Sequence, residues 1–209
     1  MRIIMKKGMT ILYEVHNNLY VNLTNRCPCA CTFCLRQAKD SVTKDDDTLW
    51  LLREPSVEEV KEEFEKYDLE KYGEIVFCGY GEPTERLDVI LEIARFLRQK
   101  SSKPIRINTN GLANLIWKED VTPKLQGLID TISISLNTPD AKKYHDLVRS
   151  KFGMQSFDSM LDFAKKAHQY VPHVILTTVA TTLTAEEEAR CKQICDSLGV
   201  HYRIRPWED

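Results

Sequence analysis

The sequence predicts an α/β fold, an incomplete parallel barrel of six (βα) units preceded by a short β-hairpin. Three observations point to it. First, strand-like and helix-like patterns alternate about six times along the 209 residues, the order that builds a parallel sheet with covering helices. Second, right-handed crossovers wind such a chain into an open doubly wound sheet or part of a barrel, and a full eight-unit barrel takes ~250 residues, about two units more than this chain has. Third, several strands alternate where parallel strands covered on both faces would be almost wholly apolar. Tyr20, Asn22 and Thr24 alternate with Leu19, Val21 and Leu23; Arg106, Asn108 and Asn110 with Ile105 and Ile107; Thr131, Ser133, Ser135 and Asn137 with Ile132, Ile134 and Leu136. The apolar face fits under helices. The polar face carries too many amides and hydroxyls to lie dry and unpaired. An antiparallel sheet with one wet face would alternate in the same way, but helix-length connections favour the barrel with a polar inner wall.

In order along the chain, ILYEVHNNLYVNLT reads as two short strands joined at residues 16–18, the second running over 19–23. A cysteine-rich loop follows, then KDSVTKDDDTLWLLREP, a polar, turn-rich stretch expected to be an exposed excursion. Ser56 with Glu59 three residues later makes a capping box for SVEEVKEEFEKY. GEIVFC is a strand ending in a glycine-rich turn. RLDVILEIARFLRQK carries apolar residues at 87, 90, 91, 94 and 97, a helical stripe. PIRINTNG and LIDTISISLN are strands. PDAKKYHDLVRS is a helix expected to hold Pro139 in its first turn, and QSFDSMLDFAKKAHQY is another. HVILTTVATT is a strand, TAEEEARCKQICDSLG a helix stopped by Gly199, and VHYRIRPW the last strand.

Composition bounds the function. Hydrophobic residues make 43% and charged residues 29%, the balance of a soluble globular protein. With no repeat or linker, residues 1–209 are expected to form one domain, residues 1–18 supplying its hairpin strand and turn. A formal net charge of -2 gives no sign of nucleic-acid or membrane affinity. The amino-terminal stretch lacks the apolar core of a secretory signal and no long apolar run spans a membrane, so a cytoplasmic, reducing location is expected. There, clustered cysteines hold metal or do redox work more often than they form disulfides.

Four of the seven cysteines lie in NRCPCACTFC. Cys27, Cys31 and Cys34 form C-x3-C-x2-C, and Cys29 is interleaved. Cysteine thiolates hold iron–sulfur cubes one to each iron, so three of them leave one iron open to a small molecule. The loop follows the first main strand, at the carboxyl end where α/β sheets place their ligands. A four-cysteine zinc site competes, although structural zinc loops bring two C-x2-C pairs from separate segments. A redox C-x-x-C pair is available in Cys31 and Cys34, and buried structural thiols are the plain alternative.

CPCACTFC resembles the signature of the radical S-adenosylmethionine enzymes, C-x3-C-x-aromatic-C, with Phe33 at the aromatic position. Three further stretches follow in the expected order. CGYGEPT matches the G-x-G-E motif with Gly79, Tyr80, Gly81 and Glu82. INTNG is similar to the T-N-G of activating-enzyme-like members, and SISLN holds Ser135 and Asn137 on the polar face. The resemblance covers Cys27 to Asn137, and the whole chain is most similar to the small family named for lying beside TatD-type nucleases.

The resemblance implies a partial TIM-like (βα)6 barrel, a 4Fe–4S cluster on Cys27, Cys31 and Cys34, and S-adenosylmethionine on the open iron. Phe33 would pack near the adenine, Gly79 to Glu82 would meet the ammonium group, and Asn108 the methionine moiety. Ser135 and Asn137 would meet ribose and carboxylate. Some relatives carry an acid at the position of Asn108, and relatives often carry Asp or Lys at those of Ser135 and Asn137. The implied activity is reductive cleavage to methionine and a 5′-deoxyadenosyl radical that takes hydrogen from a macromolecular or anionic substrate, with a flavodoxin- or ferredoxin-like electron donor. A non-catalytic iron–sulfur or zinc module for redox sensing or docking is the competing reading.

Arg106 shares its strand phase with Asn108, and Arg203 and Arg205 share one face of the last strand. They either face an anionic substrate or pair with Glu74 or another strand-end acid. Cys78, Cys191 and Cys195 lack the neighbours for a second cluster and are expected to be packing thiols. Cys29 is a bystander or a substitute ligand. The acidic run at 45–47 is a solvated loop or a gate.

Overall fold

The computed structural model describes residues 8–37 and 49–207; the acidic run at 45–47 lies outside the described residues. One seven-stranded sheet organises the chain: β1 (Leu12–Val15), β2 (Asn18–Val21), β3 (Ile75–Phe77), β4 (Ile105–Thr109), β5 (Thr131–Ser135), β6 (His173–Val179) and β7 (His201–Arg205). β1 and β2 form the antiparallel hairpin, turned at His16 with φ +52°. From β2 to β7 every pairing is parallel. Sheet neighbours are also sequence neighbours throughout. A doubly wound sheet would need the strand order to reverse at some point. An order that never reverses, joined by right-handed crossovers, stacks every helix on one face and curls the sheet into part of a barrel.

The helices are α1 (Val57–Phe64), α2 (Leu87–Lys100), α3 (Ala113–Trp117), α4 (Ala141–Val148), α5 (Gln155–Ala167) and α6 (Ala185–Leu198). They bury the apolar face: Leu19, Val21, Ile75, Phe77, Ile105, Ile107, Ile132, Ile134, Val174 and Leu176 share one core with Val60, Ile90, Leu97, Met160 and Phe163. Cys191 and Cys195 of α6 lie fully inside that core, where burial pushes their thiols up to about 11 and about 12. The opposite face carries Arg106, Thr131 and His173 in one row and Ser135, Thr177 and Arg203 in another, so the polar wall read from the alternation is the concave side.

Local signals behave as read, with three exceptions. Ser56 and Glu59 close the capping box of α1 reciprocally, and Gly199 ends α6 at φ +72°. Ser56→Ala removes the acceptor for an otherwise orphaned N–H and is expected to lower stability by about 1 kcal/mol in urea denaturation. Pro139, expected in the first turn of α4, stands just before it: Asp140 is the cap, accepting from the Lys143 N–H. The short helix α3 between β4 and β5 has no stripe long enough to read. The end of the supposed excursion is exposed only in part, at Leu52 and Arg53. Leu49 and Leu51 are buried, because this return segment packs across the cysteine loop.

Candidate active site

The loop leaving β2 is fastened from three directions. The return segment grips its start: the Asn25 side chain donates to the Leu51 carbonyl (2.7 Å) and accepts from the Leu51 N–H (3.0 Å), imitating a strand pairing. Asn22 donates to the Leu49 carbonyl at 2.8 Å. Glu54 accepts from Thr24 (2.5 Å) and Arg26 (2.7 Å). Helix α4 holds the middle. The last carbonyls of a helix have no partner within it, and here the loop supplies them: Ala30 N–H reaches the Val148 carbonyl at 3.1 Å and Thr32 N–H the Leu147 carbonyl at 2.9 Å. Arg36 closes the far end, donating to the Cys34 sulfur (3.3 Å) and to the carbonyls of Asn25 (3.3 Å) and Cys29 (3.2 Å). Its guanidinium lies over the Trp50 ring, which meets Tyr80 edge-on at 5.3 Å.

This fastening sorts the thiols. The Cys29 sulfur neighbours those of Cys27 and Cys31, and their interaction holds both below the ordinary cysteine range against the opposing effect of burial. The same interaction, with burial, pushes Cys29 itself up. Cys29 is buried, and the Asn110 amide reaches its sulfur at 3.6 Å. Cys27 and Cys31 are thus shifted towards the thiolate that a metal ligand must be. Among the described residues no three His, Cys, Asp or Glu side chains gather as they would around a single ion.

The glycine turn after β3 lies directly against this loop. A Cβ on Gly81 would come 2.2 Å from the Thr24 carbonyl oxygen, and Glu82 N–H donates to the Arg26 carbonyl at 2.8 Å. Glu82 is buried, and its carboxylate staples two strand ends together. Oε1 accepts from the Thr84 N–H (3.1 Å), the Thr84 hydroxyl (2.7 Å) and the Thr109 hydroxyl (2.6 Å), while Oε2 accepts only the Asn110 N–H, at 2.8 Å. Burial pushes its pKa up while those four donors oppose the shift. Glu82→Gln puts an amide NH2 against one of two fixed backbone N–H donors. Loss of about 1–3 kcal/mol is expected in urea denaturation.

The other sequence-predicted positions fall along the concave wall. Asn108 lies in the row of Ser133, and among the described residues its buried carbonyl oxygen has no partner. Ser135 ends β5 half-buried, and Asn137 follows in the left-handed region at φ +64°. Phe33 is 49% exposed. Of the three arginines, Arg106 pairs with Glu74 at 2.7 Å; Arg203 and Arg205 take the same face of β7. Sequence reasoning missed Asn25, Arg36, Trp50, Leu51 and Glu54, whose bonds to the loop leave no spacing signature.

These residues fit a 4Fe–4S cluster with S-adenosylmethionine. Three thiols stand on one anchored loop, Cys34 beside the Arg36 guanidinium, and among the described residues the buried Asn108 carbonyl oxygen on the concave wall is left without a donor. Similarity to known proteins agrees. Human molybdenum cofactor biosynthesis protein 1 is 30% identical over 194 residues, covering 90% of this chain and 28% of its own length. A Methanocaldococcus jannaschii protein named as a candidate glycyl-radical enzyme activating enzyme is 29% identical over 149 residues, 68% of this chain and 59% of its own. The chain thus spans about a quarter of the length of the mammalian relatives it matches. Among solved structures, Streptococcus suis SuiB bound to its precursor peptide SuiA superposes with a TM-score of 0.65 at 16% identity, over 92% of this chain and 39% of that one. The radical SAM superfamily model matches residues 21–194. Members of that family bind a 4Fe–4S cluster and S-adenosylmethionine and are radical enzymes. With this match added to the thiol loop and the singly wound sheet, the chain belongs to the radical SAM superfamily.

Proposed function

We propose that the chain is a radical enzyme that holds its cluster through Cys27, Cys31 and Cys34 and acts on a macromolecular or anionic substrate. When bound, cluster and nucleotide supply one-electron cleavage of the sulfonium and hence a 5′-deoxyadenosyl radical able to take hydrogen from substrate.

The chain's own residues bind and orient. Asn108 offers its unpaired carbonyl to the methionine ammonium group. Glu82 keeps Oε2 for the same charge, since Oε1 already takes three hydrogen bonds and Oε2 takes one. Gly79 and Tyr80 present backbone at this point. Ser135 and Asn137 serve the ribose and carboxylate from the end of β5. Phe33, exposed on the loop, is free to cover the adenine. A flavodoxin- or ferredoxin-like protein delivers the electron, and the location is cytoplasmic; among the described residues no helix is long and apolar enough to cross a membrane. The peptide-bound SuiB structure supports a polypeptide as one form of substrate.

The observation that carries this reading is the anchored loop after β2 at the carboxyl ends of the strands, which carries Cys27, Cys31 and Cys34 together and places Arg36 on the Cys34 sulfur. Anaerobic reconstitution followed by dithionite and S-adenosylmethionine is expected to release 5′-deoxyadenosine. A protein that binds four irons yet never cleaves the nucleotide, or that binds one zinc ion instead, would be the non-catalytic module.

A further inference from the structure

We propose that the concave faces of β4 and β7 form a binding site for a multivalent oxyanion, carboxylate or phosphate, carried by the substrate and gripped by Arg106, Arg203 and Arg205. This rests on the radical-enzyme reading above and names the part of the substrate that anchors it.

Arg106 is 8% exposed, and one of its terminal nitrogens is paired with Glu74. Its Nε is buried, with no partner among the described residues. A buried guanidinium N–H without an acceptor is costly, and an incoming oxyanion removes that cost. β7 brings two more guanidinium groups to the same side. Arg203 stands in register with Thr177 and Ser135, and Arg205 with Val179. Residues at these positions share the face of Arg106, because side chains on a strand alternate with period two.

The electrostatics agree with this placement. Desolvation and then the charges of Arg106 and Arg205 depress the Arg203 pKa, with Glu74 as the opposing carboxylate. The charges of Arg106 and Arg205 also both reach the Cys78 thiol on β3's end. Among the described residues neither Arg203 nor Arg205 has an ion-pair partner. Like charges crowded on a partly desolvated wall are unfavourable until an anion joins them, and guanidinium forks suit carboxylate and phosphate alike. The site borders the nucleotide wall, since Arg203 stands in the row of Ser135. Arg106 lies one side-chain row nearer the amino ends of the strands than Asn108, beside Glu74, which precedes β3.

Titration calorimetry on the anaerobically reconstituted holoprotein, saturated with S-adenosylmethionine, tests this with inorganic pyrophosphate and with citrate. One-to-one binding of at least one probe is expected; the preferred probe tells phosphate from carboxylate. Arg203→Gln and Arg205→Gln should each weaken it by about tenfold or more, the loss of a charge-assisted contact. Arg190→Gln on the exposed surface of α6 should leave it unchanged. Both β7 residues are solvent-accessible, so the variants are expected to fold, which thermal melting checks. Binding of neither probe, equal binding by all variants, or displacement of the probe by S-adenosylmethionine would overturn the proposal. Iron content and 5′-deoxyadenosine release, measured on the same samples, separate the two readings. A chain without cluster or cleavage whose β7 variants still lose the probe defeats the radical reading and leaves the anion site standing.

Discussion

Cys31→Ala is expected to leave the anaerobically reconstituted protein almost colourless and nearly free of iron, whereas Cys29→Ala keeps iron and sulfide close to the unsubstituted level. The contrast follows from the loop's bonding. Cys31 is held towards its thiolate by a neighbour, and its backbone closes the turn that presents Cys34, whose N–H donates to the Cys31 carbonyl at 3.2 Å. Removing its sulfur takes away one of three ligands, and a cube ligated by two thiolates on one loop is not retained. Cys29 has the opposite character. It is buried among apolar residues, and two neighbouring sulfurs, with burial, push its thiol up. Its backbone bridges Ser150, an anchor that Ala preserves. Losing that thiol should slow assembly without abolishing it. Iron and sulfide analysis with the visible absorption spectrum measures both variants. Equal loss in the two would make Cys29 a ligand and overturn the assignment.

Much of this architecture is legible because its causes are local. The capping box of α1 needs only Ser56 and Glu59, three residues apart. The polar wall is legible because strand periodicity puts Arg106 with Asn108 and Arg203 with Arg205 whatever the sheet does. The cysteine spacing is contiguous, so the ligand loop announces itself. What escaped reading depends on distant chain segments. The stretch before Ser56 looks polar and turn-rich, yet Leu49 and Leu51 are buried. Asn25 pairs with Leu51 through its side chain, a bond no spacing encodes. Arg36 could not be singled out, because its three acceptors are a sulfur and two carbonyls within the folded loop. Between an anion site and a Glu74 pair, the sequence left Arg106 undecided; the structure gives it the pair and still leaves its Nε unmatched.

Gly81→Ala is expected to cost several kcal/mol and to lose the cluster along with the fold of the loop, an effect in the class reserved for core overpacking and broken networks. A glycine in this motif invites the explanation that a ligand needs close approach, but here the close approach is the protein's own. The absent Cβ would lie 2.2 Å from the Thr24 carbonyl oxygen, 2.8 Å from its carbon and 2.7 Å from the Arg26 carbonyl oxygen. All three atoms are backbone, at the root of the cysteine loop, and the Glu82 N–H bond to the Arg26 carbonyl fixes the same contact from the next residue. No rotamer can relieve it. Gly79 makes the instructive comparison. Its Cβ would also come within 2.2 Å of an atom, but that atom is Oδ1 of the Asn22 side chain, an acceptor that is buried without a partner. Gly79→Ala should therefore be costly alone and partly rescued by Asn22→Ser, which shortens the obstructing side chain while giving up its bonds to the Thr10 and Leu49 carbonyls. Truncating Thr24 or Arg26 cannot rescue Gly81→Ala, since the clash is with main chain. Urea denaturation of the single and double variants, with iron content read in parallel, checks the distinction. A Gly81→Ala protein of ordinary stability and full iron content would show that the turn after β3 does not hold the cluster loop in place.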